Sequence, residues 1–150
     1  MSETRLAAPA DAEVVAALLD DFNREFDTET PGTAVLAARL GSLLADASTF
    51  AVLGGDPVVG VALVTLRPNV WYPGPVALLD EMYVVPGRRG SGIGSAVIER
   101  MLRECVARGV SAVEINVDEG DVDAQRFYER HGFRGTDESG ERAFFYEREL

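Results

Sequence analysis

The sequence predicts an α/β fold, with a mixed central β-sheet of about six to seven strands and helices on both faces. In the middle of the chain, β-rich runs follow one another across short turns, which predicts antiparallel hairpins. In the second half, strand-like and helix-like runs alternate, which predicts crossover connections. The 150 residues are 47% hydrophobic and 26% charged, so we expect a single globular domain over residues 1–150.

The first half of the chain predicts a short strand, two helices and a hairpin. Residues 4–6 are expected to form a short first strand. Apolar residues at helical spacing predict a helix over 11–26 and a second helix that begins at Thr33. The runs 49–53 and 58–66 are rich in β-forming residues, and a Gly-Gly-Asp-Pro turn separates them. This arrangement predicts a β-hairpin.

The second half predicts alternating strands and helices. Gly109 and Gly132 follow two helical patterns at the position where glycine commonly ends a helix. Residues 133–134 are expected to begin a strand that partners the last one. In chain order, we predict a strand at 76–85, a helix at 95–108, a strand at 110–117, a short helix at 123–130 and a closing strand at 143–148.

The charge balance restricts the partners that this chain is expected to bind. The formal net charge is −11, which disfavours nonspecific binding to nucleic acid or to anionic membranes. The same charge favours a cationic substrate, although acidity that only maintains solubility explains it equally well. No apolar run approaches the length of a membrane span, and the first residues do not resemble a signal peptide. We therefore expect a cytoplasmic protein.

The metal-ligating residue types are scarce. The chain contains one cysteine, Cys105, and one histidine, His131, so we expect no metal site and no internal disulfide. Cys105 falls within a helical apolar pattern, which favours a small buried residue over a nucleophile. His131 stands where a helix is expected to end, and a role at the helix terminus is favoured over catalysis.

A glycine-rich turn joins the strand at 76–85 to the following helix. Its sequence is Arg89-Gly90-Ser91-Gly92-Ile93-Gly94. Such a turn directs backbone N–H groups and the positive end of a helix dipole at one point, which favours binding of a phosphate or diphosphate. A dinucleotide fingerprint and a purely structural turn are the alternatives. The Arg-x-x-Gly-x-Gly spacing differs from the Gly-x-Gly-x-x-Gly that dinucleotide-binding folds use.

Two motifs together resemble the GCN5-related N-acetyltransferase (GNAT) superfamily. The first is the strand sequence at 78–86 followed by the glycine-rich turn at 89–94. The second is Asp-x-x-Ala-x-x-Phe-Tyr-x-x-x-Gly-Phe over 121–133. Their order and separation match the family pattern, and the order of elements agrees over nearly the whole chain. The stretch at 71–85 also resembles, over a short length, the polyamine and diamine acetyltransferase subgroup.

The resemblance implies acetyl-CoA as the acetyl donor and assigns residues to its binding. The pantetheine arm would enter between the strand at 76–85 and the next strand, and its amide groups would pair with the exposed strand edge. Asp121 stands where the family often has asparagine, and its side chain can still cap the next helix. The implied cofactor-binding residues are Met82, Tyr83, Val84, Arg89, Gly90, Ser91, Gly92, Ile93, Gly94, Ser95, Asp121, Phe127 and Arg130.

The resemblance also implies roles in catalysis. Tyr128 is expected to donate a proton to the departing CoA thiolate, although a tyrosine packed in the core is a common alternative. Asp80 and Glu81 are charged residues within an apolar strand, where burial is costly unless they are paired or functional. Strand alternation places them on opposite faces. We favour Glu81 as base and Asp80 as amine anchor, with a structural ion pair as the alternative, and Trp71 as a wall of the acceptor site.

The sequence therefore predicts direct transfer of an acetyl group to a primary amine of a small cationic molecule. The alternatives are acetylation of an aminoglycoside or of a protein N-terminus, and a non-catalytic sensor that only binds acyl-CoA. The β-rich segment at 143–150 could also pair with a second copy in a homodimer.

Overall fold

The structure is a computed structural model, and it describes residues 3–150. The chain forms two compact units, the first ending at Ile115 and the second covering Asn116–Leu150. The first unit contains all five strands and the first three helices. They are β1 (Thr4–Leu6), α1 (Ala12–Glu25), α2 (Thr33–Ala45), β2 (Thr49–Gly54), β3 (Gly60–Arg67), β4 (Val76–Val84), α3 (Ile93–Ala107) and β5 (Ala112–Ile115).

The sheet is mixed, as the sequence predicts. Its strand order is β1-β2-β3-β4-β5. The first four strands are antiparallel to their neighbours, while β5 runs parallel to β4. The parallel pairing of β4 and β5 follows from α3, because a helix between two strands returns the chain to the end of the sheet where the first strand began. The sheet of the described chain has five strands, slightly fewer than the predicted six to seven.

Helices cover both faces of this sheet, which confirms the predicted layers. On one face, α1 and α2 bury Val15, Leu19 and Leu40 against Leu53 and Val61. On the other face, α3 lies so close to β2 that a Cβ atom on Gly54 would stand 2.4 Å from Val97 Cγ2. Successive residues of a strand point to opposite faces, so Leu53 and Gly54 contact different layers. We call the face under α1 and α2 the α1 face.

The ladder between β4 and β5 is short. It joins only Val76–Leu79 to Ala112–Ile115, whereas β4 continues to Val84. The two strands therefore part after Leu79, as expected for a fold whose strands splay at the cofactor site. The β5 side of residues 80–84 is left without a strand partner in the described sheet.

An irregularity in β4 separates its two halves. Opposite the consecutive residues Leu63 and Val64 of β3 stand Glu81 and Leu79. Asp80 is therefore the extra residue of a β-bulge. A bulge leaves one residue out of the ladder and interrupts the alternation of side chains.

The second unit contains α4 (Val122–Arg130) and a tight turn. The Asp121 side chain accepts a hydrogen bond from the Ala124 amide at 3.0 Å, which confirms that it caps the helix. His131 is the C-cap residue of the same helix, as predicted. In the turn, the Asp137 amide donates to the Glu141 carbonyl at 2.9 Å.

The predicted strands at 133–134 and 143–148 are wrong for this chain. Residues beyond Arg130 form no strand in the structure. The β-forming side chains of Phe144, Phe145 and Tyr146 are 68–88% exposed. Because a strand forms its hydrogen bonds with a neighbouring strand, β propensity alone does not produce one. Within residues 3–150, no helix is long and apolar enough to cross a membrane.

Candidate active site

The glycine-rich turn contains two residues with a left-handed backbone conformation. Gly90 and Gly92 have φ angles of 76° and 88°, in the left-handed region that favours glycine. A Cβ atom on either residue would meet nothing within 4 Å, so the backbone conformation and not space requires glycine there. Helix α3 begins directly after Gly92. Its first amides therefore project from the helix end, where they and the dipole attract negative charge.

Arg89 directs its side chain away from the turn. Its Nε donates to the Val84 carbonyl at 2.9 Å, and one terminal nitrogen pairs with Glu25 Oε1, also at 2.9 Å. Its guanidinium also lies over the ring of Tyr83, 5.6 Å from the centroid. These contacts connect the turn to the end of α1 and to β4. A role for the Arg89 side chain at a pyrophosphate stays a prediction.

The open edge of β4 presents the backbone of alternate residues. The Val85 amide donates to Val59 at 2.9 Å, so Val85 points toward β3. Because alternate residues of a strand direct their backbone groups to opposite sides, Met82 and Val84 face away from β3. Tyr83 pairs with β3 and buries its ring in a stack on Phe22, with 5.0 Å between centroids. The Val84 carbonyl on this side already accepts from Arg89. The edge toward β5 could therefore bind the peptide-like amides of pantetheine through the backbone of Met82 and the amide of Val84.

Next to this edge lies a polar part of the α1 face. Cross-strand partners share a face, which places Glu81 beside Leu63, and Leu78 beside Thr65 and Glu114. We use the name acidic face for five residues whose side chains are exposed or half-buried. They are Thr65, Arg67, Asp80, Glu81 and Glu114.

The bulge brings both carboxylates of the Asp80-Glu81 pair to the acidic face. The Thr65 hydroxyl donates a hydrogen bond to Asp80, and Thr65 shares its face with Leu63, the partner of Glu81. The expectation that Asp80 and Glu81 point to opposite faces is therefore wrong. It assumed regular alternation, which the extra residue interrupts. Burial and, secondarily, the nearby Asp80 charge raise the pKa of Glu81.

Arg67 and Glu114 complete the acidic face. They form an ion pair of 2.6 Å between side chains that are each more than half exposed. The face therefore holds three carboxylates and one guanidinium. An exposed pair of this kind contributes little to stability, and negative charge remains in excess around Asp80 and Glu81.

The loop between β3 and β4 holds Trp71 at the surface. Asn69 orders this loop, because its side-chain oxygen accepts from the amides of Trp71 at 2.8 Å and Tyr72 at 2.9 Å. The loop also fits tightly on the turn after α3, where a Cβ atom on Gly74 would stand 2.0 Å from the Gly109 carbonyl oxygen. Trp71 is 85% exposed. Its role as a wall of the acceptor site stays a prediction.

The remaining predicted residues lie in the second unit, on α4. Tyr128 is buried and packs against Phe127 and Phe133, at 5.3 and 5.7 Å between ring centroids. Arg130 lies over the ring of Phe127, 5.9 Å from its centroid. Helical spacing and aromatic stacking thus hold Phe127, Tyr128 and Arg130 as a group, and their roles stay predictions.

Cys105 is a buried core residue, as predicted. Its sulfur contacts Met101 Sδ at 3.6 Å, and burial raises the pKa of the thiol to about 11. The thiol is therefore protonated at neutral pH and is a poor nucleophile. In the described part of the chain, no group of three or more His, Cys, Asp or Glu side chains is arranged to hold a metal ion.

Comparison with known proteins identifies the family. The model of the acetyltransferase (GNAT) family matches residues 12–133, which include β2 to β5, the glycine-rich turn and α4. The chain belongs to the acetyltransferase (GNAT) family. The match extends across both compact units, and the resemblance of the two sequence motifs is thereby confirmed.

Several relatives of this GNAT chain are known. A crystal structure of an acetyltransferase candidate from Arthrobacter sp. FB24 is 52% identical, covers 99% of this chain and 96% of that one, and has a TM-score of 0.91. The mycothiol acetyltransferase of Beutenbergia cavernae is 38% identical over 71 residues, 45% of this chain and 24% of its own length. The aligned part thus spans about a quarter of that curated relative.

One further likeness concerns the fold alone. An aminoglycoside acetyltransferase from an uncultured soil metagenomic sample, solved in complex with sisomicin, is 18% identical. It covers 99% of this chain and 97% of that one, with a TM-score of 0.79. The likeness to the polyamine and diamine subgroup stays a prediction.

Three residues of this candidate site were not predicted from the sequence. Thr65 and Arg67 are on the acidic face. Alternate residues of a strand share a face, so the pattern along β3 could have placed both of them on the same face as Leu63. Glu25 ends α1 and pairs with Arg89 across 64 positions of sequence. No local pattern could have indicated that contact.

Proposed function

We propose that this protein is an acetyl-CoA-dependent N-acetyltransferase that acts on a primary amine of a small cationic molecule. The observation that carries the proposal is the acidic face, which lies beside the open edge of β4. The glycine-rich turn at the end of the same strand supports a pyrophosphate site. A thioester bound along that edge would have its reactive end near Asp80 and Glu81.

The residues present fit CoA. The amides after Gly92 and the positive end of α3 suit a diphosphate. The backbone of Met82 and the amide of Val84 can pair with pantetheine amides, and a backbone amide near the bulge can stabilise the oxyanion of the tetrahedral intermediate. Every one of these contacts comes from this chain's own backbone.

The chemistry requires three proton transfers, because the substrate nitrogen loses two protons and the CoA sulfur gains one. An ammonium substrate attracted by Asp80 must lose a proton before it can attack, and Glu81 accepts that proton directly or through water. The neutral amine nitrogen then forms a bond with the thioester carbonyl carbon, and the carbon–sulfur bond breaks. The thiolate leaves and takes a proton from Tyr128. The nitrogen then releases its second proton to water, and solvent restores the proton of the tyrosine hydroxyl. A raised pKa suits Glu81 for this role, because proton acceptance near neutral pH becomes more favourable.

The test is release of thiol from acetyl-CoA in the presence of polyamines, amino acids, aminoglycosides and peptides. We expect turnover with small cationic amines, and a loss of kcat/KM on the order of 100-fold in Glu81→Gln. Glu99→Gln is the matched control, because Glu99 is an exposed carboxylate on α3. Turnover confined to peptides would exclude the small-amine proposal. Tight binding of acetyl-CoA with no turnover would instead indicate a sensor.

The role of Tyr128 has its own test. In Tyr128→Phe we expect kcat to fall on the order of 100-fold, because the departing thiolate loses its proton donor. The dissociation constant for acetyl-CoA should change much less, and calorimetric titration measures it. Unchanged kcat would contradict the assignment. A parallel loss of stability in urea would indicate that the tyrosine acts through packing.

A further inference from the structure

The exposed turn that precedes α3 has little side-chain packing of its own. Residues 86–92 are all exposed, and added Cβ atoms on Gly87, Gly90 and Gly92 would meet nothing within 4 Å. Glycine populates several backbone conformations readily. Such a turn therefore requires a tie to a more rigid element if its amides are to be fixed in place before an anion binds.

The side chain of Arg89 provides a tie of this kind. Its Nε donates to the Val84 carbonyl at the end of β4, and a terminal nitrogen pairs with Glu25 at the end of α1, both at 2.9 Å. Its guanidinium also lies over the Tyr83 ring, 5.6 Å from the centroid. A guanidinium suits this set of contacts because it presents several donors in fixed directions and a flat face to the ring, whereas an ammonium does not.

Glu25 is itself held in place, and its position is not explained by the stability of α1. It is the last residue of that helix, where a carboxylate opposes the helix dipole. The same Oε1 atom that pairs with Arg89 also accepts from the Tyr83 hydroxyl at 3.4 Å. The Tyr83 ring in turn stacks on Phe22 of α1, with 5.0 Å between centroids. The carboxylate therefore lies where α1, β4 and the turn meet.

We propose that Glu25 is a positioning residue for the cofactor, which holds Arg89 as a brace between α1, β4 and the turn. The inference rests on the proposed function, because the ligand concerned is CoA. The brace fixes the amides after Gly92 before the diphosphate binds. Since Glu25 matches the charge of Arg89, backbone amides and the dipole of α3 bind the diphosphate, and the Arg89 side chain does not. A carboxylate near the turn thus promotes the binding of an anion.

The first test is the sign of the effect of Glu25→Gln on acetyl-CoA binding, measured by calorimetric titration of the full-length protein. Charge alone predicts tighter binding, because a negative group is removed near an anion. The brace predicts an increase in the dissociation constant of about 10-fold, as for the loss of one charge-assisted hydrogen bond. Glu13→Gln is the matched control, since Glu13 is an exposed carboxylate in the first turn of α1, and it should bind as the wild type does. Unchanged or tighter binding in Glu25→Gln would overturn the proposal.

The second test separates a brace from a simple positive charge at Arg89. Arg89→Lys keeps the charge but cannot make the same set of contacts, so it should weaken acetyl-CoA binding as much as Glu25→Gln does. With a saturating amine, both variants should show a raised KM for acetyl-CoA and an unchanged kcat. Their kcat/KM with acetyl-pantetheine, which lacks the diphosphate, should match the wild type. Wild-type affinity for acetyl-CoA in Arg89→Lys would show that charge alone is required.

The third test needs no cofactor. Hydrogen exchange of the backbone amides in peptides that cover residues 86–96 should be faster in Glu25→Gln than in the wild type and in Glu13→Gln, because the turn is no longer held. Identical exchange in the two variants would overturn the brace. Failure of the wild type to bind acetyl-CoA would instead refute the proposed function, whereas wild-type affinity in Glu25→Gln would refute the brace alone.

Discussion

Glu81 combines a half-buried carboxyl with a second carboxylate next to it. Its pKa lies above the ordinary 4.5 because burial and then the charge of Asp80 disfavour ionisation. The folded state therefore binds a proton more tightly than the unfolded state does. By linkage, the free energy of unfolding falls as pH rises from the ordinary value of 4.5 through the folded-state pKa.

This linkage predicts the behaviour of Glu81→Gln. The variant should be more stable than the wild type at pH 7 to 8, and the difference should vanish below about pH 4.5, where both side chains are neutral. Urea unfolding at a series of pH values measures it. If the two stability curves ran parallel over the whole pH range, Glu81 would have an ordinary pKa.

For single residues, the sequence predicted which residue types belong to the candidate site better than it predicted the directions of their side chains. Asp80 and Glu81 stood out because charges are unusual in an apolar strand. Their shared face depends on a bulge, and nothing in the local sequence marks the extra residue. Arg89 was recognised as part of a phosphate motif, yet its side chain turns to Glu25, a contact that only the folded chain creates.

At the scale of structural elements, the turn before α3 requires a residue in the left-handed backbone conformation. Gly92 has a φ of 88° and Gly87, five residues earlier, has an ordinary φ and open space around it. Gly92→Ala should cost about 1–2 kcal/mol, the penalty for a left-handed alanine, and should weaken acetyl-CoA binding if the turn shifts to relieve strain. Gly87→Ala is the matched control and should change neither. Unfolding in urea and calorimetric titration with acetyl-CoA measure the two effects.

Helices and strands could be predicted from the sequence where the spacing of apolar residues agreed with the glycine and proline residues of the turns. The hairpin of β2 and β3 and the helices α1, α2 and α3 follow from apolar spacing and from glycine or proline at the breaks. The closing strand at 143–148 fails for a different reason. Its residues have high β propensity, but a strand also requires a neighbouring strand to accept and donate its backbone hydrogen bonds. Propensity does not indicate whether such a neighbour is present.

For the whole molecule, charge is the dominant property. The net charge of −11 and the acidic face both attract a cationic amine, and mobile ions screen this attraction. Under the proposed function, kcat/KM for a diamine should fall steadily as sodium chloride rises from about 0.01 to 0.3 M, over which the Debye length shortens from about 30 Å to below 8 Å. Steady-state kinetics measure it.

The control for this prediction is Glu99, a carboxylate that does not belong to the acidic face. Glu114→Gln should reduce the salt dependence, whereas Glu99→Gln should leave it nearly unchanged. Equal slopes for both variants would indicate that the overall charge and not the acidic face attracts the substrate.

The bulge at Asp80 also bears on how strand β4 can change in length. Since Leu79 and Glu81 stand opposite consecutive residues of β3, removing Asp80 would leave an uninterrupted ladder and shift no other side chain to the wrong face. A deletion is usually the most damaging change to a central strand, because it reverses every later residue. Here it should leave the sheet folded and remove only the proposed amine anchor, so that a shortened gene would encode a stable protein that binds a cationic amine more weakly.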